Sequence, residues 1–501
     1  MHRTRWILGT AAAAVLLSFA ALATAQYPGS TPPPEAYKKG FDSIRPADGH
    51  TWLSYLAGPE CDGRGSGQPG YQKAAEFMAA RFKEFGLQPL GDNGTYFQNI
   101  PFSRSRVDDE ACSLALGSTV LKGGKDIGFT GLSADAESKG AVVFVRADSA
   151  AAKLADPAVL EGKIVILSAD NIGNELRRQL FQGSPAAVLT VSDSVSASGW
   201  SVRRGSGRAG RGGSSVRGSI TQSAARRLAE GAGIDPAFLD AASGDTAAVR
   251  TAGEASLEAK VQSEEIMVPN VVGMLEGSDP NLRAQHVGMG AHLDHLGNQN
   301  GVIYYGADDD GSGSTALLQV IKAFSINPVK PRRSIVFMAF CGEEMGLIGS
   351  RFYSENPKLP LENMVCELQM DMVGRNSDGA QNGDRNRMDK AEENVDTIRL
   401  VGSKRISMQL HNLILEANQH VNFRFKYDAE DVYTRSDHYS FASKGIPIAF
   451  TFSGFHPDYH RPTDTIEKIN FDKIANTARL FYLTAFEAAN LDQPVAKDGG
   501  G

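Results

Sequence analysis

The chain has 501 residues, more than one compact domain of ordinary size holds, and this predicts two. A hydrophobic fraction of 42% and a charged fraction of 22% describe a soluble globular protein with ample core. A net charge of -7 argues against nucleic acid as the main partner.

Arg3 and Arg5 precede an apolar run from Ile7 to Leu22, and Ala23-Thr24-Ala25 follows before Gln26. A charged start, an apolar run and a small-residue cleavage site predict a signal peptide over 1–25, cut near Ala25-Gln26. The run is short and Ala-rich for a membrane anchor, no other stretch suits a bilayer, and no Cys follows the cut for lipid attachment. The expectation is an exported protein, periplasmic or secreted, without stable membrane insertion. Four cysteines are too few for a disulfide scaffold. Cys341 and Cys366 fall at opposite levels of predicted parallel strands, too far apart to bridge, while a Cys61–Cys112 pair stays open.

Residues 26–45 are rich in Pro and small polar residues and read as a leader. A helix is expected from Thr51. The stretch CDGRGSGQPG (Cys61 to Gly70) has the glycines of a phosphate loop but lacks the following Lys-Ser or Lys-Thr and the preceding strand, so it reads as an ordinary loop. Ala74, Phe77, Met78, Phe82 and Phe85 recur at helical spacing, and Gly86 marks a C-terminal stop. Residues 108–262 differ in texture. Short apolar runs (AVVFV, KIVIL, AAVLTV) alternate with helical pieces and predict a smaller β-rich α/β module inserted in the main domain. Its Arg/Gly tract (Arg203, Arg204, Arg208, Arg211, Arg217) has no interleaved aromatics and reads as a solvated loop rather than an RNA-binding segment.

From Val268 onward, strand-like runs alternate with helix-like ones: NVVGMLEG, HVGMGAHLD, a helix from Ser314, SIVFMAF, VCELQMDMVG, a helix through Leu410 and Ile414, IPIAFTFSG, and a final helix from Phe471. Unbroken apolar runs are strands buried on both faces, so the fold class is α/β with a mostly parallel central sheet flanked by helices. The main domain is expected over 46–107 and 263–492, with a disordered tail over 493–501.

In such folds ligands bind beyond the carboxyl ends of the strands. Five segments end or follow these strands: His292, Asp294 and His295; Asp308, Asp309 and Asp310; Glu343 and Glu344; Asp371; and His456, Asp458, His460 and Asp464. Taken singly, each has a plain structural explanation, such as a helix N-cap for the Asp triplet or dipole complementation for Glu343-Glu344. Together they supply imidazoles and carboxylates without thiolates, the donor set of catalytic rather than structural zinc.

These segments resemble the co-catalytic two-zinc aminopeptidases, the family of the bacterial leucyl aminopeptidases and glutamate-carboxypeptidase-II-like enzymes. The likeness covers roughly residues 45–105 and 265–490. The inserted module, through EGKIVIL and GSPAAVLTV, resembles a protease-associated (PA) domain. The resemblance implies two Zn²⁺ ions per chain: His292 and Asp371 on one, Glu344 and His460 on the other, Asp309 bridging, and Glu343 as general base toward a bridging water. It further implies Asp294 as the orienter of the His292 ring, Tyr459 as oxyanion donor, Arg435 in a substrate-side loop, and a cis peptide after Asp309. The implied activity is removal of N-terminal residues from peptides. A carboxypeptidase of the same family is the alternative, an N-terminal glutamine cyclase a more distant one, and a non-catalytic binding protein the alternative of another class. Side-chain specificity and oligomeric state stay open.

Overall fold

The computed structural model describes residues 26–195, 199–204, 215–378 and 390–498. Residues 1–25, expected as a signal peptide, Arg208 and Arg211 of the Arg/Gly tract, residues 379–389 of the polar insertion and the last three residues lie outside the described residues. No helix among the described residues is long and apolar enough to cross a membrane.

The main sheet has ten strands among the described residues. In chain order its principal strands are β1 (Phe97–Val107), β2 (Val261–Leu275), β3 (His286–His292), β4 (Ser334–Phe340), β5 (Met364–Met370) and β6 (Ile448–Phe452). Every residue of β3, β4, β5 and β6 is buried; the unbroken apolar run Ile335–Phe340 of β4 requires this, while β5 buries Glu367 and Gln369 as well. The spatial order is β6-β5-β3-β4-β2-β1. The four central strands are parallel: β3 pairs with β4 and β5, and β5 with β6. The flanks are antiparallel, β2 against β4 and β1 on one side, Thr397–Val401 against β6 on the other. The parallel centre therefore carries antiparallel edges. NVVGMLEG, at the end of β2, runs opposite to its neighbour β4 because no crossover helix joins β2 to β3.

The helices that cover the sheet are α1 (Glu35–Ser43), α2 (Pro46–Leu56), α3 (Pro69–Glu84), α4 (Gly311–Ile326), α5 (Ile348–Glu355), α6 (Met408–Asn418) and α7 (Phe471–Asn490). The stretch read as a leader contains α1. Phe41 of α1 is fully buried, and Tyr37 stacks on Phe486 of α7 at 4.2 Å. Burying one such aromatic is worth about 1.5–3 kcal/mol, enough to hold a Pro-rich segment against the core. The tail is likewise tied through residue 498: Val495 is buried, and the Asp498 amide donates to Ile406 O.

Eight strands between Ser113 and Ala259 form a separate sheet. Its buried cluster, including Leu114, Phe144, Ile166, Leu189 and Leu257, shares no residue with the core of the main sheet. AVVFV, KIVIL and AAVLTV are its central parallel strands. Of the Arg/Gly tract expected as a solvated loop, Arg217 lies in another strand of this sheet, and Arg203 and Arg204 lie in the strand Ser201–Arg204, which pairs antiparallel with β1 at the edge of the main sheet. All four cysteines are buried and free, so the Cys61–Cys112 pair does not form.

The Gly-rich loop after α2 owes its shape to Arg64, which is fully buried with φ 53°. Its guanidinium donates to Leu56 O (2.7 Å), Leu293 O (2.9 Å), Tyr305 O (2.8 Å) and Gly306 O (2.7 Å). It thereby ties the N-terminal segment to the loops that follow β3. Replacing it strands buried carbonyls, each worth about 1–3 kcal/mol. Arg64→Met is therefore expected to lower unfolding free energy by about 3 kcal/mol or more, read as a reduced midpoint in urea at unchanged slope. A midpoint equal to wild type would refute this account of the loop.

Candidate metal centre

The carboxyl ends of β3, β4, β5 and β6 lie along one edge because the strands are parallel and in register. β3 ends on His292, and Asp371 directly follows β5. β4 gives way to a turn that only glycine suits: Gly342 has φ 65°, and a Cβ there would meet Ile348 Cβ at 3.0 Å. α5 starts at Ile348, with the amides of Gly346 and Leu347 donating to Glu343 O. Glu343 and Glu344 thus precede the helix rather than forming its first turn, which removes dipole complementation as their role. Asp309 precedes α4, and the loop after β6 delivers Tyr459 and His460.

The ligand atoms fall into groups that meet at Asp309. His292 Nε2 is 3.3 Å from Asp309 Oδ1 and 3.6 Å from Asp371 Oδ1. His460 Nε2 is 3.1 Å from Asp309 Oδ2 and 3.1 Å from Glu344 Oε2. Donor atoms on one tetrahedral zinc, with bonds of about 2.0–2.1 Å, lie about 3.3 Å apart. Each oxygen of Asp309 faces a different group, as a bridging carboxylate does. The residues present therefore fit the metal that their donor chemistry implies. The Asp309–Asp310 peptide is cis.

Glu343 and Glu344 part company here. Glu344 belongs to the ligand group, while the nearest approach of Glu343 to an imidazole is 3.9 Å, to His292 Nε2. Burial pushes the Glu343 carboxyl well above the usual carboxylate range; His292 opposes this and Asp371 adds to it. Burial acts in the same direction on Asp309, but the imidazoles of His292 and His460 outweigh it and hold that carboxyl well down. Tyr459 stacks on His460 at 3.9 Å and accepts a hydrogen bond from Arg435 (3.2 Å), whose guanidinium also lies 5.0 Å from the Phe455 ring. Burial pushes the Tyr459 phenol up, so it keeps its proton. An open cleft joins His292, Asp309, Glu343 and Asp371 to Tyr459 and Arg435, and its wall of Met372, Val432, Phe450, Phe452 and Phe455 is apolar.

Asp294 differs from its expected role. The His292 ring is held through Nδ1 by the main-chain oxygen of Asp294 at 3.0 Å, with the carboxylate farther off at 3.8 Å. The carboxylate instead accepts from the Glu343 amide (3.1 Å) and from Ser66 Oγ (3.1 Å). With those donors present, turning it toward His292 would leave buried groups unsatisfied.

Two residues of the sequence segments contribute beyond what was expected of them. His295 is fully buried, with Nδ1 2.7 Å from Glu344 Oε1 and 3.8 Å from Asp309 Oδ2, at an angle that makes no hydrogen bond. A second imidazole in His292-Leu293-Asp294-His295 was its visible signal. Asp310 caps α4 through Gly313 N (2.9 Å) and also accepts from His292 N (3.1 Å) and Met372 N (3.0 Å). One carboxylate thereby locks the backbone at both His292 and Asp371.

Residues 270–485 match the model of peptidase family M28. A probable leucine aminopeptidase of Arthroderma otae is 29% identical over 248 residues, covering 44% of this chain and 64% of that protein. Leucine aminopeptidase 1 of Trichophyton rubrum is 26% identical over 251 residues, 47% of this chain and 62% of that one. The chain thus spans less than two thirds of these curated relatives. The solved zinc aminopeptidase BSAP of Bacillus subtilis aligns with a TM-score of 0.53 at 17% identity, over 90% of this chain and 96% of that one. The aminopeptidase of Aneurinibacillus sp. strain AM-1 aligns with a TM-score of 0.51 at 19% identity, over 92% and 97%. These likenesses establish the fold.

Removing the Asp310 carboxylate leaves three buried amides unsatisfied, at about 1–3 kcal/mol each. Asp310→Ala is expected to weaken zinc binding at least tenfold and to lower stability by about 3 kcal/mol or more, measured by chelator competition and urea unfolding. Wild-type zinc affinity in a folded Asp310→Ala protein would contradict the locking role.

Proposed function

We propose that this chain, whose residues 270–485 form a peptidase family M28 domain, is a zinc-dependent aminopeptidase that releases N-terminal residues from peptides. The observation that carries the reading is Asp309, whose two oxygens face separate His/carboxylate groups while Glu343 stands beside them outside both. His292 and Asp371 would hold one zinc, Glu344 and His460 the other, and Asp309 would bridge them. Bound there, zinc supplies a Lewis acid and a nucleophile at neutral pH.

The remaining work falls to the chain itself. Glu343, with its carboxyl raised by burial, accepts the proton of the attacking water and passes it to the departing amine. The Tyr459 hydroxyl accepts from Arg435, so its own proton is free to meet the oxyanion that develops on the scissile carbonyl. The apolar wall of the cleft suits an apolar side chain on the substrate's first residue. Arg435 favours one alternative, a carboxypeptidase in which its guanidinium receives a C-terminal carboxylate. Export through residues 1–25 and a PA-like identity for residues 108–262 complete the reading; the first rests on the sequence pattern and the second on the separate core of the inserted sheet.

Purified protein is expected to carry about two zinc ions per chain by elemental analysis, and chelation should abolish cleavage of aminoacyl arylamides. A panel of free, N-blocked and C-blocked peptides separates the readings: N-blocking abolishes an aminopeptidase, C-blocking a carboxypeptidase. Glu343→Gln should retain zinc while kcat falls about 10²–10⁴-fold. Wild-type kcat in that variant would place the base elsewhere.

A further inference from the structure

The loop Gly65–Gly67 enters the site from outside the matched family region, and one of its side chains reaches the turn that carries Glu343. Ser66 is buried, at 6% exposure. Its hydroxyl accepts a hydrogen bond from the Gly342 amide at 2.9 Å and donates to Asp294 Oδ2 at 3.1 Å. The other oxygen of that carboxylate, Oδ1, accepts from the Glu343 amide at 3.1 Å. Two consecutive amides of the turn are thus held by two acceptors, which are themselves joined by a hydrogen bond.

The loop that brings Ser66 there is fixed on both sides. Gly65 pairs with His295 as a β-bridge, the His295 amide donates to Arg64 O at 3.2 Å, and the Arg64 guanidinium binds Leu293 O. Gly67 has φ 81°, and a Cβ there would meet the Ile266 and Val202 side chains at 2.9 Å. The hydroxyl is therefore presented by a rigid backbone rather than by a mobile side chain searching for a partner.

We propose that Ser66 is a positioning residue for Glu343: with Asp294 it fixes the Gly342-Glu343 peptide, and so the direction in which the Glu343 carboxylate leaves the turn. This rests on the reading of Glu343 as the base. A carboxylate that must reach a reacting proton while staying off the metal ligands has little angular latitude, and misplacement by about 1 Å can cost about 100-fold in rate. The hydrogen bonds of Ser66 go to Asp294 and Gly342 and to none of the assigned metal ligands, so its loss acts through the turn that carries Glu343.

The experiment is a double-mutant cycle on the zinc-loaded full chain with a leucyl arylamide. Ser66→Ala is expected to lower kcat about 10- to 100-fold, with KM changed less than about twofold and zinc content unchanged. Ser66→Thr, which keeps the hydroxyl, is expected to restore most of the loss. In a Glu343→Gln background, Ser66→Ala is expected to change kcat less than about twofold, because the group it positions no longer serves as base. An equal loss from Ser66→Ala in both backgrounds, or no loss in either, overturns the proposal while leaving Glu343 as the base. Wild-type kcat in Glu343→Gln alone removes the base reading, and the positioning proposal with it.

Discussion

Crowded, largely buried carboxylates set the terms for the whole carboxyl edge of the sheet. Asp294, Asp309, Glu343, Glu344 and Asp371 have side chains between 1% and 11% exposed, and Asp310 is fully buried beside them. Two like charges 4 Å apart repel by about 4 kcal/mol at the effective dielectric of a protein, so the set cannot all be ionised without cations. Burial pushes Asp294 to about 6 and Asp310 and Glu343 well up, and for His292 and His460 the carboxylates around them outweigh burial and raise both imidazoles. A metal ligand must give up its proton, so metal binding to such a set would release protons. The fold brings these groups together at a cost in repulsion that bound protons or cations relieve.

Holding such a set in place falls to neighbours that never face the metal. The Asp triplet shows the division of labour. Asp309 points its two oxygens into the site. Asp310 binds the amides of Gly313, His292 and Met372. Asp308 accepts from the Gly374 amide at 2.7 Å and lies 3.2 Å from His456 Nε2. Behind them Asp464 accepts from the amides of both Asp308 and Asp309. A carboxylate whose two oxygens face separate His/carboxylate groups has to be aimed at both at once, and a backbone free to rock would aim it at neither. The acids on either side of Asp309 are therefore part of its geometry.

Much of this was legible in the sequence. The run Ile335–Phe340 is apolar without a break, and a strand of that kind is buried on both faces. Polar segments that end or follow such strands gather at their carboxyl edge, but the choice of His292, Asp309, Glu344, Asp371 and His460 from among them came from the family resemblance. What stayed hidden depends on contacts between distant segments. The links from Ser66 to Asp294 and Gly342 join residues 228 and 276 positions apart. A serine in a Gly-rich loop carries no pattern that points to such partners. Asp294 does hold the His292 ring, but through its main-chain oxygen; the partners of its carboxylate, Ser66 and the Glu343 amide, lie on other segments and left no trace in the sequence. Helix α1 was hidden by the prolines that precede it, since its stability comes from Phe41 and Tyr37 packing on α7 rather than from its own composition.

The inserted sheet poses a separate physical question, namely how more than a hundred residues can interrupt the catalytic domain without disturbing its register. The answer lies in the β1–β2 ladder. Phe97 pairs with Val271, and the antiparallel register continues without a break to Val107 opposite Val261. The chain therefore leaves β1 and re-enters β2 at adjacent positions, touching the main sheet in between only through Ser201–Arg204, which pairs with the outer edge of β1. Closing a long loop costs entropy that grows only slowly with its length, so an excursion whose ends are already pinned side by side adds little penalty. Its own core, built on Phe144, Ile166 and Leu189, supplies the stability of the excursion independently. β2 pairs on its other edge with β4, Val271 opposite Ala339, next to the turn that carries Glu343 and Glu344. The ladder that seals off the insert thus also sets the level at which the two glutamates emerge.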